Sequence, residues 1–443
     1  MGSFLADREI SLRRSDTVKT PIHDFLVQYA ESGTARLHMP GGKGLMYPLD
    51  ITEISGADEL YECGGIIRES ERNAAELFGA ADTCYSCGGA TLAIQAMLAA
   101  ACEVTGKRRI AAGRCSHKSL INAAILLGLE IDWIYPEEFL GCGLSPAGIE
   151  NALKSDTAAV FLNSVDYLGG EADIASVSAV CKKHGVLLLA DNAHGAYKVF
   201  TGDHPLALGA DMTADSAHKT LPAITGTAYL HLADSAYYAP AKAAMRLFGS
   251  SSPSYLMLDS LDLCNAYIAG KREEALAAVS RVKALKELLT ADGIVLRESD
   301  GMRVTVDANA VGYRGTELAE LMREMGAECE MSGERYVVLL FSVVQPEADF
   351  GRTADILHKI PRRSPLVPAG IPVLRPERVL SPRDAYLAAK TDVPVKSAVG
   401  RVCAGVCSPC PPCVPAVMPG ELIGEAEAEF LTRYGVSDIA VVS

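Results

Sequence analysis

The chain has 443 residues, of which 49% are hydrophobic and 22% charged, and its formal charge at pH 7 is −14. That length exceeds one compact core and points to two or three domains. The acidic balance argues against nucleic acid and anionic membranes as partners and suits a small cationic substrate, and no apolar run, Ala93 to Ala101 included, is long enough to span a bilayer.

The N-terminus, Met1-Gly2-Ser3-Phe4-Leu5-Ala6-Asp7-Arg8-Glu9, lacks the apolar core of a signal peptide. Thirteen cysteines are scattered without a framework spacing, so a reduced, cytoplasmic setting is expected. Residues 1–20 read as a polar arm. From 21 to about 290, strand-like and helix-like segments alternate, which predicts a mostly parallel sheet wrapped by helices.

Within that region, Cys87-Gly88-Gly89-Ala90-Thr91 opens a helix. A glycine pair at a helix N-terminus lets backbone N–H groups approach a phosphate, and Thr91 adds a hydroxyl; alone, the same pair is more commonly an ordinary helix start. The strand Ile110 to Ala112 leads into Arg114-Cys115-Ser116-His117-Lys118-Ser119, where His117 is either a ring-stacking imidazole or an exposed capping residue. Thr157 to Leu162 reads as a strand, and Ile174 to His184 as a helix ended by Gly185. The apolar run Val186 to Ala190 then delivers Asp191-Asn192-Ala193-His194, and Ala210 to Ala214 delivers Ser216-Ala217-His218-Lys219-Thr220.

A lysine and a carboxylate at neighbouring strand ends suit pyridoxal 5'-phosphate (PLP): the amine forms an imine with the cofactor aldehyde, and the carboxylate keeps the pyridine nitrogen protonated. The Ser-x-His-Lys tetrapeptide carries little weight by itself; its surroundings make the case. Further strands are expected at Ala228 to Leu232, Met302 to Val306 and Tyr336 to Phe341, and helices at Lys271 to Leu289 and Thr316 to Met325. Residues 291–443 are thus a smaller α+β domain, with Pro361 to Pro376 an extended linker and no internal repeat.

Several segments follow one another in a telling order: Leu37-His38-Met39-Pro40-Gly41-Gly42-Lys43-Gly44, Ala57 to Leu60, Glu76 to Ala80, Gln95 to Met97 and Arg114 to Ser119. Asp191 to Ala196, Ser216 to Leu221, Ser251 to Tyr255 and Pro419 to Glu421 complete the series. From about Pro21 to about Gly424 the chain resembles the fold-type-I PLP enzymes, and among them the Orn/Lys/Arg decarboxylases. The resemblance implies an α/β, aspartate aminotransferase-like large domain with a mostly parallel sheet plus the smaller C-terminal domain. It implies decarboxylation of arginine, lysine or ornithine, a role in polyamine biosynthesis, and a homodimer or larger homo-oligomer.

Carried over by position, Lys219 holds the cofactor, Asp191 pairs with its pyridine nitrogen and His117 stacks on its ring. His194 lies beside it. Ser216 and His218 join Gly89, Ala90 and Thr91 around the phosphate, and His218 or Lys219 returns a proton to the substrate. His38 to Gly44 and Ser251 to Ser254 are expected to reach a neighbouring subunit's site. Apart from the resemblance, the Glu421 carboxylate suits a substrate's distal cation, and equally a surface or helix-capping place after Pro419-Gly420. The other outcomes the motifs allow are transamination or elimination on PLP, or PLP binding with little catalysis.

The chain also departs from the pattern it resembles. Gly42 stands in place of a histidine, Asn192 in place of a glutamate, and Gly88-Gly89-Ala90 in place of Asn-Gly-Ser/Thr. Cys410 occupies an aromatic position and Cys413 a glycine position, and the N-terminal domain of longer members has no counterpart, as in the compact branch. Cys403, Cys407, Cys410 and Cys413 have a spacing compatible with a cluster or zinc, but their place late in a proline-rich loop favours ordinary thiols and no metal.

Overall fold

The structure is a computed structural model that describes residues 18–42, 47–138, 140–368, 373–406 and 415–443. Its first half opens with helices α1 (Pro21–Glu31) and α2 (Ile66–Phe78), then alternates strand and helix. In order these are β1 (Asp82–Ser86), α3 (Gly89–Thr105), β2 (Arg109–Gly113), α4 (Lys118–Leu127), β3 (Glu130–Ile134) and α5 (Pro146–Ala152). There follow β4 (Thr157–Asn163), α6 (Ile174–His184), β5 (Leu187–Asp191), α7 (Lys198–Thr201), β6 (Met212–Asp215), α8 (Ala217–Thr220) and β7 (Ala228–Leu232).

These strands form one sheet in the order β1-β7-β6-β5-β4-β2-β3. β3, β2, β4, β5 and β6 pair in parallel, while β7 runs antiparallel to both its neighbours. All seven residues of β4 are buried, as expected of a strand covered by helices on both faces. α3, apolar around most of its circumference, packs across β7, β6, β5 and β4. The helix predicted to stop before Gly185 does so, with Gly185 at φ +63°, a left-handed conformation that closes the helix cheaply only without a Cβ.

Helices α9 (Tyr238–Phe248), α10 (Tyr255–Gly270) and α11 (Arg272–Ala291) lead to a second, antiparallel sheet. Its strands are β8 (Leu296–Arg297), β9 (Arg303–Asp307), β10 (Met331–Ser332) and β11 (Tyr336–Leu340), in the order β10-β11-β9-β8. α12 (Gly315–Glu324) and α13 (Glu347–Lys359) complete that unit. The last part holds α14 (Pro382–Leu387), β12 (Lys390–Pro394), α15 (Glu425–Arg433) and β13 (Asp438–Val442), with β12 paired antiparallel to β13.

The region expected as one small domain therefore carries two sheets with different cores. Val304, Val306 and Val337 of the second sheet belong to the same buried cluster as Leu189 and Met212 of the first. The final unit has its own cluster around Val395, Ile423, Leu431 and Val441. No helix among the described residues is long and apolar enough to cross a membrane.

Candidate active site

Three strand ends and one helix start converge. In parallel sheets the carboxyl ends of strands, with the loops that follow them, form the usual ligand crevice. Here β4 ends on Asn163, β5 on Asp191 and β6 on Asp215, immediately before the short helix that carries Lys219. β1 ends on Ser86, whose hydroxyl donates to the Gly89 carbonyl (2.8 Å) and accepts from the Gly88 N–H (3.2 Å). That clasp turns the chain into α3. Gly89 sits at φ +64° and its N–H donates to the Gly226 carbonyl at 2.8 Å; no side chain caps the helix, which leaves the Ala90 and Thr91 amides at its N-terminus for an occupant of the crevice.

The result is a cavity of about 210 Å³ lined by Gly89, Ala90, Thr91, His117, Asp191, His194, Ser216, His218 and Lys219. Lys219 Nζ lies 2.8 Å from His194 Nε2, which accepts its proton. Burial holds His194 well below the ordinary imidazole value, with Lys219 adding to the effect, so the ring is a neutral acceptor. The ring edge of Tyr167 meets that of His194 with centroids 5.1 Å apart. Asp191 is buried and accepts from the Ala193 N–H at 3.1 Å. Burial raises its carboxyl to about 6, against the opposing pull of that N–H and of Lys219. A buried carboxylate of this kind gains from any cation brought against it.

His117 caps α4, its Nδ1 accepting from the Ser119 N–H at 3.2 Å, while the ring faces the cavity. Burial, then Lys219, lowers it to about 4, so it too is neutral near pH 7. His218 donates from Nδ1 to the Thr227 carbonyl at 2.9 Å, which fixes the ring and leaves Nε2 as its second polar atom.

All nine residues expected around a cofactor thus share one cavity. Asn163, Tyr167, Ile94 and Ala193 line it as well and were not anticipated. Asn163 was within reach of the strand-end rule, since it closes the strand read at Thr157 to Leu162. Tyr167 lies in the loop beyond, where one sequence carries no signal for direction.

Two expected substrate residues are elsewhere. His38 is tied to the Tyr29 hydroxyl and the Pro40 carbonyl, both at 2.7 Å, and does not line this cavity. Glu421 lies in the final unit. Its carboxylate is buried against the Arg114 guanidinium in a two-pronged bridge of 2.8 and 3.0 Å and also accepts from the Met418 N–H at 2.9 Å. It does not line this cavity. Cys403 is buried in the final unit, whereas Cys407, Cys410 and Cys413, like Lys43 and Gly44, lie outside the described residues.

Comparison with known proteins adds to this geometry. Residues 20–303 match the family model described as "Orn/Lys/Arg decarboxylase, major domain", and residues 367–434 match "Orn/Lys/Arg decarboxylase, C-terminal domain". The chain is 30% identical to the uncharacterized protein YaaO of Bacillus subtilis, over 94% of each chain. It is 27% identical to an arginine decarboxylase of Halalkalibacterium halodurans, over 96% of this chain and 95% of that one. Among solved structures, a Francisella novicida lysine decarboxylase superimposes with a TM-score of 0.79 at 15% identity, over 96% of this chain and 82% of the other.

Proposed function

The chain belongs to the Orn/Lys/Arg decarboxylase family, and from that premise we propose that it removes CO2 from arginine, using PLP held in the cavity beneath Lys219. The fold is that of the fold-type-I PLP enzymes, and the activity is decarboxylation of a basic amino acid. Arginine is preferred over lysine and ornithine because the named relatives that match over nearly their whole length are arginine decarboxylases.

The observation that carries the cofactor reading is the convergence of Lys219 and Asp191 on one cavity opened by an uncapped helix N-terminus. The donor set fits PLP at each end. The amides of Ala90 and Thr91 and the Thr91 and Ser216 hydroxyls suit a phosphate, and the buried Asp191 suits a protonated ring nitrogen. Asn163 Oδ1, buried and without a hydrogen-bond partner among the described residues, leaves a polar atom at the same cavity for an occupant to satisfy.

When bound, PLP supplies the electron sink for the bond between the substrate's Cα and its carboxylate. The chain supplies the rest. Lys219 holds the cofactor through Nζ, and Asp191 keeps a proton on the ring nitrogen. His117 and Ala193 line the cavity where the ring would lie. His194 Nε2 takes and returns a proton at Lys219 Nζ, and Lys219 or His218 Nε2 delivers a proton to Cα.

Asp191 is the only carboxylate among the described residues that line the cavity, and it is engaged. A substrate guanidinium then needs an acidic group from elsewhere, which supports a homodimer in which a second copy completes the site. The exposed Leu37 and Met39 beside His38 suit such a contact. The cysteine pattern supports a cytoplasmic setting.

Release of CO2 from arginine, lysine and ornithine, each offered singly to the PLP-loaded protein, tests this reading. The highest kcat/KM is expected with arginine. A clear preference for lysine or ornithine would overturn the substrate, and no release from any would overturn the activity.

A further inference from the structure

The reverse side of the same strand ends carries a second set of polar groups. Asn163, Asp191 and Ala214 are register partners across β4, β5 and β6 and share the face that looks into the cavity. Because side chains alternate along a strand, the next residues, Ser164, Asn192 and Asp215, turn to the opposite face. There they form a continuous belt. The Ser164 hydroxyl donates to Asn192 Oδ1 at 2.6 Å, and Asn192 Nδ2 donates to Asp215 Oδ2 at 2.6 Å. His204, from the loop after α7, meets the same Asp215 oxygen at 2.9 Å through Nε2. None of the four is more than 3% exposed.

Resting on the PLP reading above, we propose that Asp215 and His204, acting through Asn192, are positioning residues that hold Asp191 and Lys219 at their working separation. Asn192 directly follows Asp191, and Asp215 directly precedes the Ser216 to Lys219 segment. One hydrogen bond therefore ties the carboxylate strand to the lysine strand from behind. The backbone reinforces it: the Asn192 N–H donates to the Ala214 carbonyl at 3.0 Å. Ser164 extends the tie to β4 and donates to the Asp191 carbonyl from both its N–H (3.0 Å) and its hydroxyl (3.3 Å). Asn192 Oδ1 also fills the space a Cβ on Gly195 would need, and the Gly195 N–H donates to the Asn192 carbonyl at 2.8 Å, closing the turn that holds His194.

His204, Asp215 and His231 bring ligand atoms within 4.8 Å of one another, a spacing compatible with a cation. Asn192 argues for the belt instead. Its Nδ2, a donor, stands 2.6 Å from Asp215 Oδ2 and 3.1 Å from His204 Nε2, so that oxygen and that ring nitrogen are engaged with each other and with Asn192. A buried carboxylate is tolerated only when such donors meet it.

The test uses the full chain loaded with PLP and compares wild type with Asn192→Ala, His204→Ala and His204→Gln, the last keeping an N–H for Asp215. The readouts are the visible absorbance of the bound cofactor and the separate values of kcat and KM. Wild type should show the cofactor band; Asn192→Ala and His204→Ala should retain PLP with a displaced band. Their kcat should fall on the order of tenfold to a hundredfold, the scale of a small misplacement at the reacting groups. KM should stay within about twofold, because the substrate's contacts are untouched. His204→Gln should restore both band and kcat.

Two outcomes overturn the proposal: an undisplaced band with wild-type kcat in both alanine variants, or a loss of kcat that follows melting temperature alone with the band unmoved. A wild-type chain with no cofactor band would instead overturn the PLP reading beneath it.

Discussion

Lys219 and Asp191 each have a partner that decides where their protons sit, and those partners make the roles testable. Lys219→Ala should leave no covalent cofactor on the borohydride-reduced protein by intact mass and no CO2 release; undiminished turnover would contradict the role. Asp191→Ala should retain PLP through the phosphate end yet lower kcat by about 10²–10³-fold, the usual scale for a lost charge-stabilising group.

His117 gives a pH signature. Burial holds its pKa near 4 against an ordinary 6.5, so the folded state refuses a proton that the unfolded state accepts. Its contribution to stability is complete above pH 6.5 and is lost as pH falls from 6.5 to 4. His117→Asn should flatten the decline of melting temperature across that window; a slope identical to wild type would show that the ring is not held neutral.

That Lys219, Asp191, His117 and Gly89 would share one cavity was legible in the order of motifs that carries the resemblance, although each motif alone has little weight. Tyr167 was not, since its aim depends on a loop path. Glu421's partner was not legible, because a lone carboxylate does not announce that Arg114, far away in sequence, will pair with it. Asn192, a departure from the glutamate usual in the resembled pattern, finds its reason in Asp215: a second carboxylate there would face the first.

Elements matched expectation where apolar runs had one reading. β4, β5 and α6 fall within a residue or two of their expected limits. β6 begins later, at Met212, because the Asp211 side chain turns away to accept the Leu188 N–H at 2.7 Å. α10 escaped notice because its buried face carries Asp262, which breaks the apolar pattern. That carboxylate accepts from the Ile22 and His23 N–H groups at 2.9 and 3.0 Å and so caps α1 across the fold.

The Arg114–Glu421 bridge joins β2's outgoing loop to the final unit, with both side chains at most 2% exposed. Breaking one side of such a pair strands a buried charge, so Glu421→Gln should cost about 3–5 kcal/mol in denaturant unfolding. KM for the substrate should hold in whatever fraction stays folded. A raised KM at unchanged stability would return Glu421 to substrate recognition.

At the scale of the whole molecule, the second sheet shares its core with the first, so those two parts should unfold together, while the final unit has a core of its own. Neither relation was legible from segment order, because a change in strand pattern at residue 291 looks the same whether or not the cores merge. The need for a further acidic group predicts a dimer: sedimentation should give twice the 46.9 kDa chain mass, and activity per chain should fall on dilution below the dimer's dissociation. A fully active monomer would contradict completion of the site by a second copy.

The most direct measurement is mass spectrometry of the products formed by the PLP-loaded protein from a mixture of arginine, lysine and ornithine. The account predicts an amine one CO2 lighter than its parent, with agmatine dominant. A keto acid, or three unchanged amino acids, would contradict it.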